Sequence, residues 1–279
     1  MKNFIDKNFW KNKKVFITGH TGFKGSWLSL FLNYLGADVT GYSLAPNSKP
    51  SLFNLAKIKN VIKKSIIADV RDYKRLESEL DKSKATIVFH LAAQPLVRLS
   101  YIHPKDTFDV NFTGTLNILH AIKKMQRIKT GIIITTDKVY DISKNKIFKE
   151  EDALKGSDPY SASKVCVEFL YNSYQKSFFS KSDKMIATVR AGNVIGGGDW
   201  ATDRLVPDCL QSFSRGQTAL LRYPNAVRPW QHVLEPLGGY LALATELHQK
   251  NDLHGEPFNF GPSSNQNHTV LELVQAMSE

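Results

Sequence analysis

A repeated alternation of apolar, β-branched runs with helix-patterned stretches limits the first 190 residues to few folds. "KVFIT" (Lys14–Thr18), "DVTGY" (Asp38–Tyr42), "VIKKSIIAD" (Val61–Asp69), "TIVFHLAA" (Thr86–Ala93), "GIIITT" (131–136) and "MIATVR" (185–190) are or end in strands buried on both faces. Between them, "KGSWLSLFLNYLG" (Lys24–Gly36) places apolar residues at helical spacing, with Gly36 positioned to end the helix. "RDYKRLESELDK" and Phe108–Met125 follow the same rule. Such repetition predicts an α/β fold: a Rossmann-like doubly wound parallel sheet with helices on both faces.

Past residue 190 the pattern changes. Gly and Pro become dense in "AGNVIGGGDW", "RYPNAVRPW" and "HGEPFNFGP", which read as loops. Helices are expected near Tyr160–Phe178, Asp203–Arg215 and Val233–His248, and a short one near Thr269, where Thr269-x-x-Glu272 fits a capping box. The expected division is residues 1–190 as a cofactor-binding domain carrying the catalytic groups. Residues 191–279 then form a smaller ligand-binding lobe interleaved with the sheet.

Composition excludes several function classes. The chain has 279 residues and a net charge of +11, but its lysines are scattered, with clusters only at Lys11–Lys14 and Lys57–Lys64. Without a basic stripe or basic–aromatic alternation, nucleic acid is not the expected partner; an anionic small molecule is. No apolar run approaches the roughly 18–20 residues of a membrane helix. "MKNFIDKNFWKNKK" lacks the apolar centre of a secretory signal, so a cytoplasmic location is expected. Cys166 and Cys209 provide neither a disulfide framework nor a metal site.

Three motifs carry chemistry. "ITGHTGFKG" sets Gly19, Gly22 and Gly25 three apart between a strand and a helix, with His20, Thr21 and Phe23 in the same loop. Glycines there let the backbone approach a pyrophosphate, and the helix N-terminus offers free N–H groups to it. The second strand ends in "GYSLAP", with neither the acid that favours NAD nor the base that favours NADP. "DPYSASK" puts Tyr160 and Lys164 on one helix face, where an ammonium can lower the phenol's proton affinity. Finally, "IITTDKVYD" runs from a strand through Thr135 and Thr136 into Asp137 and Lys138. That pair is either a strand end with two solvated charges or a general acid beside a general base.

The Gly-x-x-Gly-x-x-Gly spacing with Tyr160-x-x-x-Lys164 resembles the extended short-chain dehydrogenase/reductase family. Within its sugar-nucleotide dehydratase and epimerase group, Thr136-Asp137-Lys138 resembles the 4,6-dehydratases, where epimerases carry no such pair. "GHTGFKGSWL", "HLAAQPLVRLSY", "RAGNVIGGGDW" and "RPWQHVLEPLGGYL" extend the likeness, towards the dehydratases that act on CDP-glucose, from about Trp10 to Pro262. The resemblance implies NAD, held by the glycine loop, Asp69, Val70, Leu91, Ala92, Ala93, Asn111, Tyr160 and Lys164. It implies catalysis by Thr136, Asp137 (acid), Lys138 (base), Tyr160 and Lys164. It implies substrate contacts from Gln94, Asn193, Arg204, Leu205, Arg228 and His232, and a homodimer or higher homo-oligomer, paired through the helix ending at Met125 and the Tyr160 helix. From the residues alone, Asp69 can equally be a helix N-cap, and His232 a structural histidine. Two departures stand out. The segment after Tyr140 lacks the tryptophan-rich sequence associated with the family, and the chain stops soon after Thr269. A nucleotide-sugar 4-epimerase and a non-catalytic NAD-binding relative remain the alternatives.

Overall fold

A computed structural model describes residues 5–141, 143–144, 146–249, 253–263 and 268–278. Seven strands form one parallel sheet: β1 (Lys14–Thr18), β2 (Asp38–Ser43), β3 (Lys64–Ile67), β4 (Ile87–His90), β5 (Thr130–Ile134), β6 (Met185–Ala191) and β7 (Pro257–Phe260). Their order is β3-β2-β1-β4-β5-β6-β7. The chain reverses direction of travel between β1 and β4, so the loops leaving those two strands part and open a crevice at the carboxyl edge.

Side-chain alternation along each strand feeds two cores. Val15, Ile17, Phe89 and Val189 face one side, where helices α1 (Phe23–Tyr34) and α6 (Leu234–Gln249) contribute Leu28, Leu32, Tyr240 and Leu241. Phe16, Val88, Ile133 and Ile186 face the other. There α2 (Tyr73–Ser83), α3 (Gly114–Lys124) and α4 (Pro159–Tyr174) supply Leu76, Leu80, Ile118, Ile122, Val167 and Tyr171. Burying one such leucine or isoleucine fully stabilises the fold by roughly 1.5–3 kcal/mol. The sheet is therefore the rigid element on which the loops sit.

Local signals end the helices as expected. Gly36, at φ +85°, follows α1, and its N–H donates to Asn33 O. Thr269 and Glu272 form the reciprocal capping box at the start of α7 (Val270–Ser278): Thr269 N donates to Glu272 Oε2 at 2.7 Å and Glu272 N to Thr269 Oγ1 at 3.1 Å. Cys166 lies part-buried on α4, and Cys209 lies buried on α5 (Leu205–Ser214); both are free thiols.

Two features depart from the sequence reading. "PFNF", expected as loop, is the edge strand β7, paired in parallel with Thr188–Ala191. Its proline takes the first position of an edge strand, where the missing N–H is tolerated. The predicted helix Phe108–Met125 is helical but not uniform: Asp109–Thr113 forms a π turn that runs into α3. Asn111 sits in that turn, fully buried.

Candidate active site

The loop between β1 and α1 is shaped by close backbone approach. Gly19 adopts φ +79° and packs so tightly that a β-carbon there would lie 2.7 Å from Ala92 N. At Gly25 a β-carbon would lie 2.0 Å from Gly19 O, so only glycine lets α1 start against the loop. Gly22 caps the helix, and Ser26 N donates to its carbonyl at 2.8 Å. Thr21 Oγ1 donates to Leu44 O and pairs with Ser43 Oγ, joining the loop to the end of β2. His20 points inward, with Nε2 2.7 Å from Ser65 Oγ, and burial lowers its pKa to about 4.

Opposite this loop, Thr136 caps a 3-10 turn over Asp137–Val139. Thr136 Oγ1 donates to Asp137 Oδ1 at 3.1 Å, and Lys138 Nζ stands 3.4 Å from the same oxygen. Both charged side chains are about one-third exposed, 33% and 35%, rather than buried. Gly192 leaves the carboxylate its space, since a β-carbon there would lie 3.2 Å from Asp137 Oδ2.

Tyr160 and Lys164 lie on the same face of α4, both buried. The expected sign at Tyr160 is reversed. Burial pushes the phenol's pKa up, while Lys138 first, then a hydrogen bond with Thr136 and the charge of Arg204, pulls it down; Asp137 adds to the rise. Lys164 is not among the main causes, and its ammonium donates to Ile134 O at 3.0 Å. Burial lowers Lys164 to about 8 against an opposing pull from Glu168.

One site residue escaped the sequence reading. Lys24, the second residue of α1, is half-buried, and its pKa falls to about 8. Burial is the main cause, followed by Arg204; Asp137 opposes the shift, and Lys138 and Lys164 add to it. Lys24 at the glycine loop, the Asp137–Lys138 turn, Lys164 on α4 and Arg204 therefore share one electrostatic environment. A lysine inside a glycine fingerprint was the available signal.

A buried clamp holds the β4 loop. Asn111 Oδ1 accepts from Gln94 N at 2.8 Å, while its amide donates to Gln94 O and to Ser163 Oγ on α4. The Gln94 side chain is spent within the protein, donating to Thr107 Oγ1 and Leu96 O and accepting from Leu96 N. It braces this loop. His90 bridges Thr18 Oγ1 at 2.7 Å and Thr115 Oγ1 at 2.9 Å, and burial lowers its pKa to about 3. Leu91, Ala92 and Ala93 remain part-exposed at the crevice.

The remaining expected residues are more dispersed. Asp69 holds Arg71 through both carboxylate oxygens, which lowers its pKa, and Arg71 also pairs with Asp106. The α2 N-cap is Asp72, not Asp69. Val70 is buried against Gly114. Arg204 caps the backbone before Leu205 at the start of α5 and lies 3.6 Å from Asp199. Asn193 O accepts from Gln231 N, joining the short strands Val194–Ile195 and Gln231–His232. His232 is exposed and accepts from Leu234 N through Nδ1. Arg228 is exposed on a separate ribbon paired with His268–Thr269, and its guanidinium donates to Val227 O. Neither His232 nor Arg228 touches the Asp137 turn through any hydrogen bond or ion pair among the described residues.

This fold and this cluster define a short-chain dehydrogenase-like nucleotide-binding protein with an Asp137–Lys138 pair beside its Tyr160 and Lys164. The GDP-mannose 4,6 dehydratase family model matches residues 16–275, and the chain belongs to that family. It is 47% identical over 280 residues to the CDP-glucose 4,6-dehydratase of Salmonella typhimurium, covering 98% of this chain and 77% of that one. Among solved structures, epimerase Mth375 of Methanothermobacter thermautotrophicus superposes with a TM-score of 0.83 at 22% identity, covering 98% of this chain and 79% of that one. The dTDP-glucose 4,6-dehydratase of Bacillus anthracis, solved in complex with NAD, gives 0.77 at 23%, covering 94% and 79%. Both share the fold.

Proposed function

We propose that this chain converts CDP-glucose to CDP-4-dehydro-6-deoxyglucose and water, an NAD-dependent hydro-lyase reaction that supplies deoxysugars for surface polysaccharides. The observation that carries the reading is the Thr136-Asp137-Lys138 turn beside the Tyr160 phenol. An epimerase needs no acid at carbon 6; a dehydratase does.

The glycine loop fits the cofactor: without β-carbons at Gly19 and Gly25 the loop packs directly against Ala92 and the start of α1, which leaves the N-terminal N–H groups of α1 at the loop for a pyrophosphate. Gly19, His20, Thr21, Gly22, Phe23 and Gly25 would hold its pyrophosphate, with Asp69 and Val70 towards the adenosine, and Lys164 and Leu91–Ala93 towards the nicotinamide. When bound, NAD supplies a positively charged hydride acceptor for carbon 4 and returns the hydride to carbon 6.

The chain's own groups handle the protons. Tyr160 takes the proton of the 4-hydroxyl, aided by Thr136 and Arg204, which favour its phenolate. The resulting ketone acidifies the hydrogen on carbon 5, which Lys138 removes. Asp137 protonates the 6-hydroxyl, which departs as water while the carbon 5–carbon 6 double bond forms. Lys138 then returns its proton to carbon 5. Over one cycle Tyr160 gains a proton and Asp137 loses one. Thr136, which donates to Asp137 and helps to lower the Tyr160 phenol, stands between them for the return. Arg204 and Lys24 give positive charge suited to the diphosphate; Asn193, Leu205, Arg228 and His232 are the residues assigned to the nucleotide. The protein acts in the cytoplasm as a homodimer through α3 and α4. Phe169, 61% exposed on α4, gives that helix an apolar outer surface.

The test is incubation with CDP-glucose and NAD, read by mass spectrometry. A product lighter by one water, with no net reduction of NAD, is expected. Asp137→Asn should stop water loss while carbon 4 is still oxidised. A product of unchanged mass that co-elutes with CDP-galactose would make the chain an epimerase, and NAD binding without turnover a non-catalytic relative.

A further inference from the structure

Asp137 and Lys138 are held largely from behind. Their own side chains touch little beyond each other and Thr136. The residues on either side of the turn, by contrast, are anchored in the protein interior. Thr135 N donates to Val189 O at 2.8 Å, and its hydroxyl donates to Glu168 Oε1 at 2.5 Å. Tyr140 is buried, and its hydroxyl accepts from Arg190 Nη1 at 2.7 Å and donates to Asn259 Oδ1 at 2.8 Å.

The centre of these anchors is a buried ion pair. Arg190 grips Glu168 through Nε at 2.9 Å and Nη2 at 3.0 Å, and both side chains are only 5% exposed. Thr188 Oγ1 donates to the second carboxylate oxygen, and Arg190 also reaches Glu150 O. Asn259 on β7 closes the circuit, taking Glu150 Oε1 on its N–H and donating to Phe148 O. A buried ion pair is weak evidence of stability, because desolvation offsets the attraction; its strongest use is to specify geometry. Fully satisfied networks of this kind are rigid.

We propose that Glu168, Arg190 and Tyr140 form a positioning network that aims the Asp137–Lys138 turn for water elimination. The inference rests on the function proposed above. Glu168 also lies one helical turn beyond Lys164, whose charged form it favours, so one carboxylate supports both halves of the site.

Tyr140→Phe tests this in the NAD-loaded protein. The change removes one hydroxyl and keeps the ring stack on Phe148, whose centroid lies 4.9 Å away with planes 3° apart. Arg190 retains Glu168 and Glu150. The expected result is a roughly tenfold slower loss of water with unchanged KM and an unchanged rate of carbon 4 oxidation. Reduced nicotinamide should then accumulate during turnover to a higher level than in the parent protein. Thr188→Val, isosteric and remote from the crevice, should shift the same partition in the same direction. Equal slowing of both half-reactions, slowing that tracks a fall in melting temperature, or no change would overturn the network. A parent protein that leaves CDP-glucose untouched would instead overturn the function.

Discussion

Gly25→Ala separates the backbone argument from the chemistry. The added carbon would sit 2.0 Å from Gly19 O, 2.7 Å from Gly19 C and 2.9 Å from His20 Cα, all backbone atoms. Relaxed contacts need about 3.5 Å, so α1 and the loop must separate by about 1.5 Å. Gly19 cannot retreat, because it already abuts Ala92 N; Ser26 ties the helix back through His20 O at 3.1 Å. Overpacking of this kind costs about 1–3 kcal/mol. For a chain of this size that lowers the melting temperature by roughly 2–12 °C. Two controls sharpen the result. A β-carbon on Gly22 meets nothing closer than 3.4 Å, and one on Gly197 meets nothing within 4 Å. Differential scanning fluorimetry of the ligand-free proteins should rank Gly25→Ala well below Gly22→Ala and Gly197→Ala. NAD titration should show at least tenfold weaker binding for Gly25→Ala and parental binding for Gly197→Ala. Parental melting and NAD affinity in Gly25→Ala would refute the steric reasoning.

The buried titratable groups give two further expectations. Lys24 and Lys164 fall from 10.5 to about 8, so the unfolded chain binds more protons between those values and stability rises with pH across that window. Lys24→Met should raise the melting temperature of the ligand-free protein at pH 7 and shrink its gain between pH 8 and 10; an unchanged pH profile would contradict the burial account. His20 and His90 are depressed from 6.5 to about 4 and about 3, so they stabilise the fold above pH 6.5, and that contribution is lost as pH falls towards their folded values. Chemical denaturation of His90→Gln from pH 7 to 4 should show a flatter acid loss than the parent protein.

The sheet was legible because period and composition agree. Phe16 and Ile17 face opposite cores, and every central strand is β-branched and apolar on both sides. β7 was hidden because it opens on Pro257 and lies between Gly255 and Gly261-Pro262, and only the neighbouring β6 edge makes "PFNF" a strand. The glycine loop and the Tyr160–Lys164 spacing were legible for a related reason: each depends on near neighbours in sequence. What spacing cannot supply is sign. Four residues on a helix place Lys164 beside Tyr160, yet the lysine turns to Ile134 O, and the cation acting most strongly on the phenol is Lys138, from another element. The same limit explains Lys24 and Glu168. Lys24 gains its meaning only when Arg204, 180 positions away in sequence, faces it. Glu168 gains its meaning only when Thr135, Thr188 and Arg190 converge on its two oxygens. The Asp137–Lys138 turn can thus stay about one-third exposed while the residues on either side of it are anchored by buried groups.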